Sequence, residues 1–141
     1  MPLTLELANR IIAACLAKGR SDGFKPLTIA VLDPGGHPIA FQREDGSANL
    51  RPAIAIAKAS GALGLGISSR AIGAIATERP TFIASLHALA PGGLVPAAGG
   101  VIVEAQDGAV IGAVGVTGDT SDNDELCALA GIAAAGLSAR P

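Results

Sequence analysis

Aromatic residues are nearly absent from this sequence of 141 residues, which contains three Phe, no Tyr and no Trp. Proteins that hold single-stranded nucleic acid stack its bases on aromatic side chains, and such faces are missing here. The net charge of −2 and the isoelectric point near 5.6 also provide no basic surface for nucleic acid or for an acidic membrane. We therefore expect no nucleic acid and no membrane among the partners of this protein.

Charged residues are scarce as well. They make up 16% of the chain, whereas half of the residues are hydrophobic. An average soluble domain has about 25% charged residues, and disordered chains combine high charge with low hydrophobicity, so this composition excludes intrinsic disorder. A small domain this apolar has too little polar surface to cover itself, and obligate interfaces resemble a domain core cut in half. We therefore expect a homo-oligomer.

Long uninterrupted apolar runs and cysteine pairs are also missing. A membrane-spanning helix needs about 20 apolar residues, but the best windows, residues 52–67 and 101–116, are interrupted by charged residues and glycines. The N-terminus lacks the basic segment and apolar core of a signal peptide. Cys15 and Cys127 lie in predicted helices and are too few for a disulfide framework. These features predict a cytoplasmic protein with reduced thiols.

The first third of the chain combines helix and hairpin signals. Apolar residues at helical spacing follow Thr4, a good N-cap, and predict a helix that ends at Gly19. Residues 27–32 and 37–43 flank the turn sequence Asp-Pro-Gly-Gly, which predicts a β-hairpin. Because proline has no N–H donor, Pro38 places the second strand at a sheet edge or marks the start of that strand.

Helical signals dominate the middle of the chain. A helix begins at Pro52, and shorter helical segments are predicted over residues 70–77 and 80–88. Glycines interrupt the first of these helices, and each costs about 1 kcal/mol relative to alanine. Either a neighbour packs closely on the glycine face, or the helix ends near Gly64. Residues 90–100 show no periodicity, and so long a loop in a small domain usually serves function or an interface.

The last third predicts a second hairpin and a final helix. Residues 101–106 and 109–117 are two strands around Asp107-Gly108, a pair that favours a type I′ turn. The final helix begins at a capping box in which Asp122 takes the hydroxyl role. The predicted order is α-ββ-ααα-ββ-α. This order indicates an α+β fold, with an antiparallel sheet of two hairpins flanked by helices, in a single domain of residues 1–141.

Several blocks of the sequence resemble one known family. Residues 33–46 are similar to its V-x-D-x-x-G…R-x-D-G block, and residues 57–59 to its K-A helix. Residues 99–118 are similar to its G-G…G-x-x-I-G-A-I-G-V-S-G hairpin, with Thr117 in place of the usual Ser, and residues 124–131 to its D-E…A-x-A-G helix. In this order the blocks resemble the GlcG/HbpS family of haem-binding or haem-degrading proteins, which also includes the C-terminal domain of PduO-type proteins.

The resemblance implies a fold, an assembly and a ligand. The fold it implies is a profilin-like layered domain with an antiparallel sheet between helices. It also implies self-association and the binding of haem or a related tetrapyrrole as a cofactor or ligand.

Few residues of this chain are able to ligate haem iron, which takes His, Cys, Met or Tyr as axial ligand. Tyr is absent and the sole Met is the first residue, so the candidates are His37, His87, Cys15 and Cys127. Both cysteines are better explained as small core residues. Each histidine also fits an ordinary surface position, His37 in a turn and His87 near the end of a helix. We favour His87 slightly, because the flexible loop that follows it could close over a porphyrin.

Arg43 and Asp45 are candidate ligand-binding residues at the end of the second strand. The planar guanidinium of Arg43 is suited to a carboxylate such as a haem propionate. A surface ion pair of Arg43 with Asp45 or Glu44 explains the pattern equally well. At about 3.4 Å per residue, His37 and Arg43 lie roughly 20 Å apart, too far to share one small site within a subunit.

Lys58 is a lone cation in an Ala/Ile-rich helix, without an acidic residue four positions away on either side. Its stem either lies along the surface with the ammonium group in solvent, or faces the sheet, where it binds an anion or titrates low enough for catalysis. Gly99 and Gly100 are candidates for binding an anion through their backbone N–H groups, with bulges or close packing as the alternative.

Three functions are therefore open at this point. The first is a haem-binding module, with Arg43 on an acidic side group and a histidine on iron. The second is a cofactor-free enzyme for a small carboxylate or carbonyl metabolite, with Arg43 as anchor and Lys58 or Asp45 as acid/base, in a pocket between sheet and helix or between subunits. The third is an accessory protein without a ligand. Convergence of Lys58 and Arg43 in one apolar pocket would favour the enzyme, and their separation would favour the module.

Overall fold

The chain forms five helices and five strands, and the computed structural model describes residues 1–141. The helices are α1 (Leu5–Ser21), α2 (Arg51–Leu65), α3 (Ser69–Glu78), α4 (Pro80–Leu86) and α5 (Ser121–Ala134). The strands are β1 (Thr28–Leu32), β2 (Pro38–Arg43), β3 (Gly100–Glu104), β4 (Val110–Thr117) and β5 (Ser138–Arg140).

All five strands belong to one antiparallel sheet of order β2-β1-β4-β3-β5. The two predicted hairpins, β1–β2 and β3–β4, are joined through the pairing of β1 with β4, which confirms the predicted α+β fold. Pro38 is the first residue of β2, and β2 lies at the edge of the sheet, where its missing N–H removes no bond from a central ladder.

Helices cover both faces of the sheet. On one face, α1 and α5 pack together over the largest buried cluster of the core. On the other face, α2 packs against β1 and β4, where Ala55 and Ala59 contact Ala30 and Leu32. This approach is close because Gly115 of β4 has no side chain, and a Cβ there would overlap the carbonyl oxygen of Ala55. Gly115 therefore allows α2 to pack directly on the sheet.

Two helix ends illustrate how glycine acts in this fold. The prediction that α1 ends at Gly19 is wrong, since the helix continues to Ser21. Gly19 is buried instead, and a Cβ there would lie 2.6 Å from Leu27 Cδ1, so the residue permits close packing. Near the predicted end of α2, Gly66 adopts φ +74° and forms the left-handed C-cap.

The turn between β3 and β4 differs from the predicted type I′ turn. A type I′ turn needs positive φ at both central residues, but Gly108, with φ +84°, is the only residue of this turn in that region. The Asp107 carboxylate accepts the N–H of Ala109, and Gly108 N–H bonds to the carbonyl of Ala105. Asp107 thus stays in an ordinary conformation, and glycine alone provides the left-handed residue.

The C-terminal elements also depart from expectation. The N-cap of α5 is Thr120, whose hydroxyl accepts the N–H of Asn123, and Asp122 lies inside the first turn. Strand β5 had no predicted counterpart. It pairs with β3, and the Arg140 guanidinium bonds to the Glu104 carboxylate across the two strands.

No helix of this fold taken singly has the length and apolar character needed to cross a membrane. Helices α2 and α3 meet those two requirements only as a pair, and that pair is bent by 77°.

Asp119, in the turn before α5, contributes stability that depends on pH. Its carboxylate accepts the backbone N–H groups of Lys25 and Thr120 and the side-chain amide of Asn123, each at 2.8 Å. These bonds, that from Lys25 first, lower the pKa of Asp119 from 3.8 to about 2. The unfolded chain then binds the proton more readily, so this contribution is complete above the unfolded pKa and is lost as the pH falls through the folded value.

We expect Asp119→Asn to make the stability of the protein less dependent on pH in the acid range. Urea unfolding midpoints measured from about pH 5 down to about pH 2 will fall less steeply in the variant than in the wild type. Parallel curves for the two proteins would show that Asp119 does not contribute to acid sensitivity.

Candidate functional site

An apolar cavity of about 360 Å³ opens between the β1–β2 turn, the C-terminal half of α2 and the chain around and after the end of α4. We call it the leucine cleft. Its volume lies within the range of small-molecule sites, about 300–1,000 Å³. It is lined by Pro34, Gly35, Gly36, Ser60, Gly61, Leu63, Gly64, Leu65, Leu86, Leu89, Ala90, Pro91 and Leu94.

The floor of the leucine cleft depends on glycine. Leu94, in the long loop before β3, is buried against α2 at Gly61, where a Cβ would lie 3.2 Å from the leucine backbone. Gly92 fits against Ser60 in the same way, since a Cβ there would collide with the Ser60 side chain. The first part of the loop of residues 90–100 therefore lies against α2 and forms one wall of the cleft.

Large apolar side chains remain exposed at the rim of the leucine cleft. Leu89 is 75% exposed and Leu65 37% exposed, and both line the cavity. Covering such side chains stabilises a complex by about 25 cal/mol for each Å² removed from water. The cleft therefore offers binding energy to an apolar ligand.

His37 lies beside the leucine cleft. A Cβ on the cleft residue Gly35 would lie 3.0 Å from Nδ1 and Cε1 of the imidazole, so the ring sits over this part of the wall. The ring nitrogen Nδ1 is 3.3 Å from Oδ1 of Asp33. The same oxygen accepts the backbone N–H groups of His37 and Gly35, which together with the imidazole lower the pKa of Asp33.

His87 approaches the cleft from the opposite segment. It follows Leu86 at the C-terminal end of α4, and Leu86 and Leu89 both line the cavity. Its imidazole is exposed and has no hydrogen bond within the chain. Both histidines of the sequence thus adjoin residues that line the same cleft, although neither lines it itself, and their segments are about 50 residues apart in the chain.

Lys58 is buried rather than directed into solvent. Only 2% of its side chain is exposed, and Nζ donates to Oδ2 of Asp124 and to the carbonyl of Val116, each at 3.0 Å. Burial lowers the pKa of Lys58, and the Asp124 carboxylate opposes that shift. The interpretation that the ammonium group reaches the surface is therefore wrong, because α2 turns this position toward the sheet and α5 supplies the counter-charge. The leucine cleft does not include Lys58, so its predicted role in binding or catalysis gains no support from the geometry.

Gly99 and Gly100 lie against Lys58. The space of a Cβ on Gly99 is taken by the Val116 carbonyl and by Nζ of Lys58, which is 2.8 Å away. The N–H of Gly100 donates to Oγ of Ser69 at 2.7 Å, so it is not free for an anion. The structure thus assigns Gly100 to close packing, and the anion-binding role predicted for the pair has no ligand-accessible N–H at this residue.

Arg43 and Asp45 lie at the other end of β2 from His37. They line a second, mostly polar cavity of about 420 Å³ beside α1. Arg43 is exposed and forms no ion pair with Asp45 or with Glu44, which pairs with Arg20 instead. The guanidinium therefore remains free to bind an acidic group. Lys58 lines neither cavity, so the structure separates Lys58 from Arg43.

Both thiols lie inside the α1–α5 interface. Cys15 and Cys127 are free and fully buried. Burial is the main reason why the pKa of Cys15 is well above its usual range and that of Cys127 is raised to about 11. The thiolate form that ligates iron is thus disfavoured, in agreement with their interpretation as core residues.

Sequence reasoning missed the contribution of Asp33 to this site. From the sequence, Asp33 is interpreted only as part of the Asp-Pro-Gly-Gly turn. Its position four residues before His37 allows its carboxylate to reach the imidazole. The Asp-x-x-x-His spacing was the available signal.

A family model and several solved structures are similar to this chain over most of its length. A family model described as "Haem degrading protein HbpS-like" matches residues 3–133. The structure of an HbpS double mutant from Streptomyces reticuli is 30% identical over 94% of this chain and 86% of its own, with a TM-score of 0.80. The ORFY protein of Klebsiella pneumoniae is 27% identical over 94% and 90%, with a TM-score of 0.84. A PduOC–haem complex is 19% identical over the full length of both chains, with a TM-score of 0.87. A search of curated proteins found no match.

Proposed function

This chain belongs to the HbpS-like family, and from that premise we propose that it is a self-associating protein that binds haem or a related tetrapyrrole in the leucine cleft. The observation that carries the proposal is an apolar cavity with exposed leucines at its rim, where the imidazole of His37 packs on the lining residue Gly35 and His87 lies between the lining residues Leu86 and Leu89. A structure of this fold with haem bound adds support.

The residues of the leucine cleft fit the chemistry of a tetrapyrrole. A porphyrin ring is apolar over its faces, and the cleft wall is formed mainly by leucine, proline, alanine and glycine. An imidazole is a common axial ligand of haem iron, and His37 and His87 are the two candidates here. When bound, haem would supply a redox-active iron. This chain would orient the ring with its leucines, exclude water from one side and hold the iron through an imidazole.

Arg43 lies too far from the leucine cleft to contact a ligand bound there within one subunit. It lies roughly 20 Å from His37 along β2, at about 3.4 Å per residue. A haem propionate in the leucine cleft would therefore meet Arg43 only if that residue came from a second subunit. This makes the acid-binding role of Arg43 dependent on assembly.

Self-association is supported by apolar side chains exposed outside the leucine cleft. Leu50 is 67% exposed, Leu126 47% and Phe41 42%. A domain of 13.8 kDa with such residues at several places on its surface is expected to cover them with further copies of itself.

The enzyme hypothesis has less support. It needs Arg43 and Lys58 in one pocket, whereas Arg43 lines a polar cavity and Lys58 is buried against Asp124. Asp45 lines the same polar cavity as Arg43, but Lys58 does not line this cavity and so cannot act there as an acid or base. The separation favours a binding module, and the leucine cleft favours a module with a ligand over one without.

Hemin titration combined with native mass spectrometry tests the proposal. We expect a shifted Soret band, saturation at one hemin per chain, and masses at multiples of 13.8 kDa. Leu89→Asp places a charge in the leucine cleft and is expected to weaken hemin binding by about tenfold or more, since a buried leucine contributes about 1.5–3 kcal/mol. The matched variant Leu5→Asp alters an exposed leucine at the start of α1, outside the leucine cleft, and should bind hemin like the wild type.

Two results would count against the proposal. If hemin leaves the wild-type spectrum unchanged and no adduct is detected, the ligand assignment fails. If the protein remains a single chain of 13.8 kDa at high concentration, self-association fails.

A further inference from the structure

We propose that His37, rather than His87, is the iron ligand of the leucine cleft, and that Asp33 is its positioning residue. This inference rests on the proposed haem binding and goes beyond it, because it selects one imidazole and assigns a role to a carboxylate outside the cleft wall. It follows from the geometry of the turn between β1 and β2.

The Asp33 carboxylate is held in place by the turn itself. Its Oδ1 accepts the N–H of Gly35 at 2.9 Å and that of His37 at 3.0 Å. The backbone of Asp33 is fixed as well, since its N–H donates to the carbonyl of His37 and its carbonyl accepts the N–H of Gly36, both at 2.9 Å. A carboxylate with so many bonds to a hairpin turn is a rigid support.

The Asp33 carboxylate contacts the Nδ1 edge of the imidazole. Nδ1 of His37 lies 3.3 Å from Oδ1 of Asp33. In the tautomer with the proton on Nδ1, the ring donates to the carboxylate and the lone pair of Nε2 is free. Nε2 has no hydrogen bond within the chain. The ring also lies over Gly35, which lines the leucine cleft, so the free nitrogen belongs to a ring anchored at the cavity wall.

This is the arrangement that metal-binding histidines use. Their second nitrogen almost always donates to a carboxylate, a carbonyl or water, which sets the tautomer, fixes the ring and strengthens the imidazole as a donor. Loss of such a partner typically weakens metal binding by about 10- to 100-fold.

His87 lacks all of these features. Both imidazoles are exposed, that of His37 to 80%, but no carboxylate or carbonyl of the chain accepts a hydrogen bond from the ring of His87, which follows the seven-residue helix α4. An imidazole free to rotate loses side-chain entropy when it binds. The structure therefore gives His37 the advantage over His87, the reverse of the preference drawn from loop flexibility.

Four full-length variants test the assignment. His37→Gln and His87→Gln each remove one candidate ligand at an exposed position. Asp33→Asn removes the charge but keeps an oxygen that can accept the turn N–H groups. Asp107→Asn is the matched control, because Asp107 accepts the N–H of Ala109 in the other hairpin turn and has no histidine beside it. Circular dichroism and thermal unfolding establish that each variant is folded.

The readouts are hemin affinity, the absorption spectrum of the bound form and the midpoint potential of its iron. We expect His37→Gln to change the spectrum and His87→Gln to leave it unchanged. Asp33→Asn should keep the histidine-ligated spectrum, bind hemin about 10- to 100-fold more weakly, and show a more positive midpoint potential because a weaker imidazole donor stabilises ferric iron less. Asp107→Asn should match the wild type in all three.

The outcomes separate the two levels of the proposal. Wild-type affinity and potential in Asp33→Asn would overturn the positioning role, and a spectral change in His87→Gln instead of His37→Gln would overturn the choice of ligand. In both cases hemin still binds and the proposed function stands. If the wild type takes up no hemin, the proposed function fails and this inference with it.

Discussion

Lys58→Met is expected to lower the free energy of unfolding by about 3–5 kcal/mol, the usual effect of removing one partner from a buried ion pair. In the wild type, Nζ and the Asp124 carboxylate lie 3.0 Å apart, and 2% of each side chain is exposed. Methionine fills a similar volume, so the main loss is electrostatic, with a negative charge left buried without its partner. Urea unfolding at neutral pH and at one fixed protein concentration measures this change, because self-association makes apparent stability depend on concentration.

Two further variants test whether the effect of Lys58→Met comes from the burial of its ion pair. Arg70→Met removes an exposed cation that pairs with Asp122 and Glu125 and should destabilise the protein much less than Lys58→Met, because solvent screens such a pair. The double variant Lys58→Met/Asp124→Asn carries no buried charge and keeps an acceptor for the N–H of Asp119, so it should be more stable than Lys58→Met alone. If Lys58→Met and Arg70→Met have equal effects, the buried pair is not the cause.

Gly115→Ala is expected to lower the free energy of unfolding by about 3 kcal/mol, at the upper end of the usual cost of overpacking. The added Cβ would overlap the carbonyl oxygen of Ala55 and lie 3.2 Å from the side chain of Ala59. Backbone atoms of a helix cannot rotate away from such a clash, so α2 as a whole must move off the sheet.

Gly64→Ala is the matched comparison, because Gly64 is in α2 and nothing lies within 4 Å of the position of its Cβ. Alanine has a higher helix propensity, and this variant should be up to about 1 kcal/mol more stable than the wild type. Thermal or urea unfolding of the two variants side by side measures both effects. Similar stabilities for Gly115→Ala and the wild type would mean that α2 is not held as closely to the sheet as the structure places it.

The elements of this fold were largely predictable because their signals are local. The hydroxyl of Thr4 accepts the N–H of Leu7, three residues away, as an N-cap does. The Asp-Pro-Gly-Gly turn brings β1 and β2 together, with Gly36 at φ +86°. Strand β5 escaped prediction because its three residues carry no periodic pattern and become a strand only by pairing with β3, whose position depends on the rest of the sheet.

The candidate site was predictable in part. Sequence reasoning selected the long loop before β3, part of which lines the leucine cleft, and His37 and His87, which adjoin lining residues without lining the cavity themselves. It misjudged Lys58, because the search for a counter-charge covered one helical turn on either side, whereas Asp124 lies 66 residues away.

Sequence alone determined that this protein is an antiparallel α+β domain of small residues with two hairpins, since turn chemistry, capping and apolar periodicity act over a few neighbouring residues. Tertiary structure alone decided that Asp124 neutralises Lys58, that Gly115 seats α2 on the sheet, and that three distant segments enclose the leucine cleft. These contacts join residues far apart in the chain, and they form only after the helices have packed on both faces of the sheet.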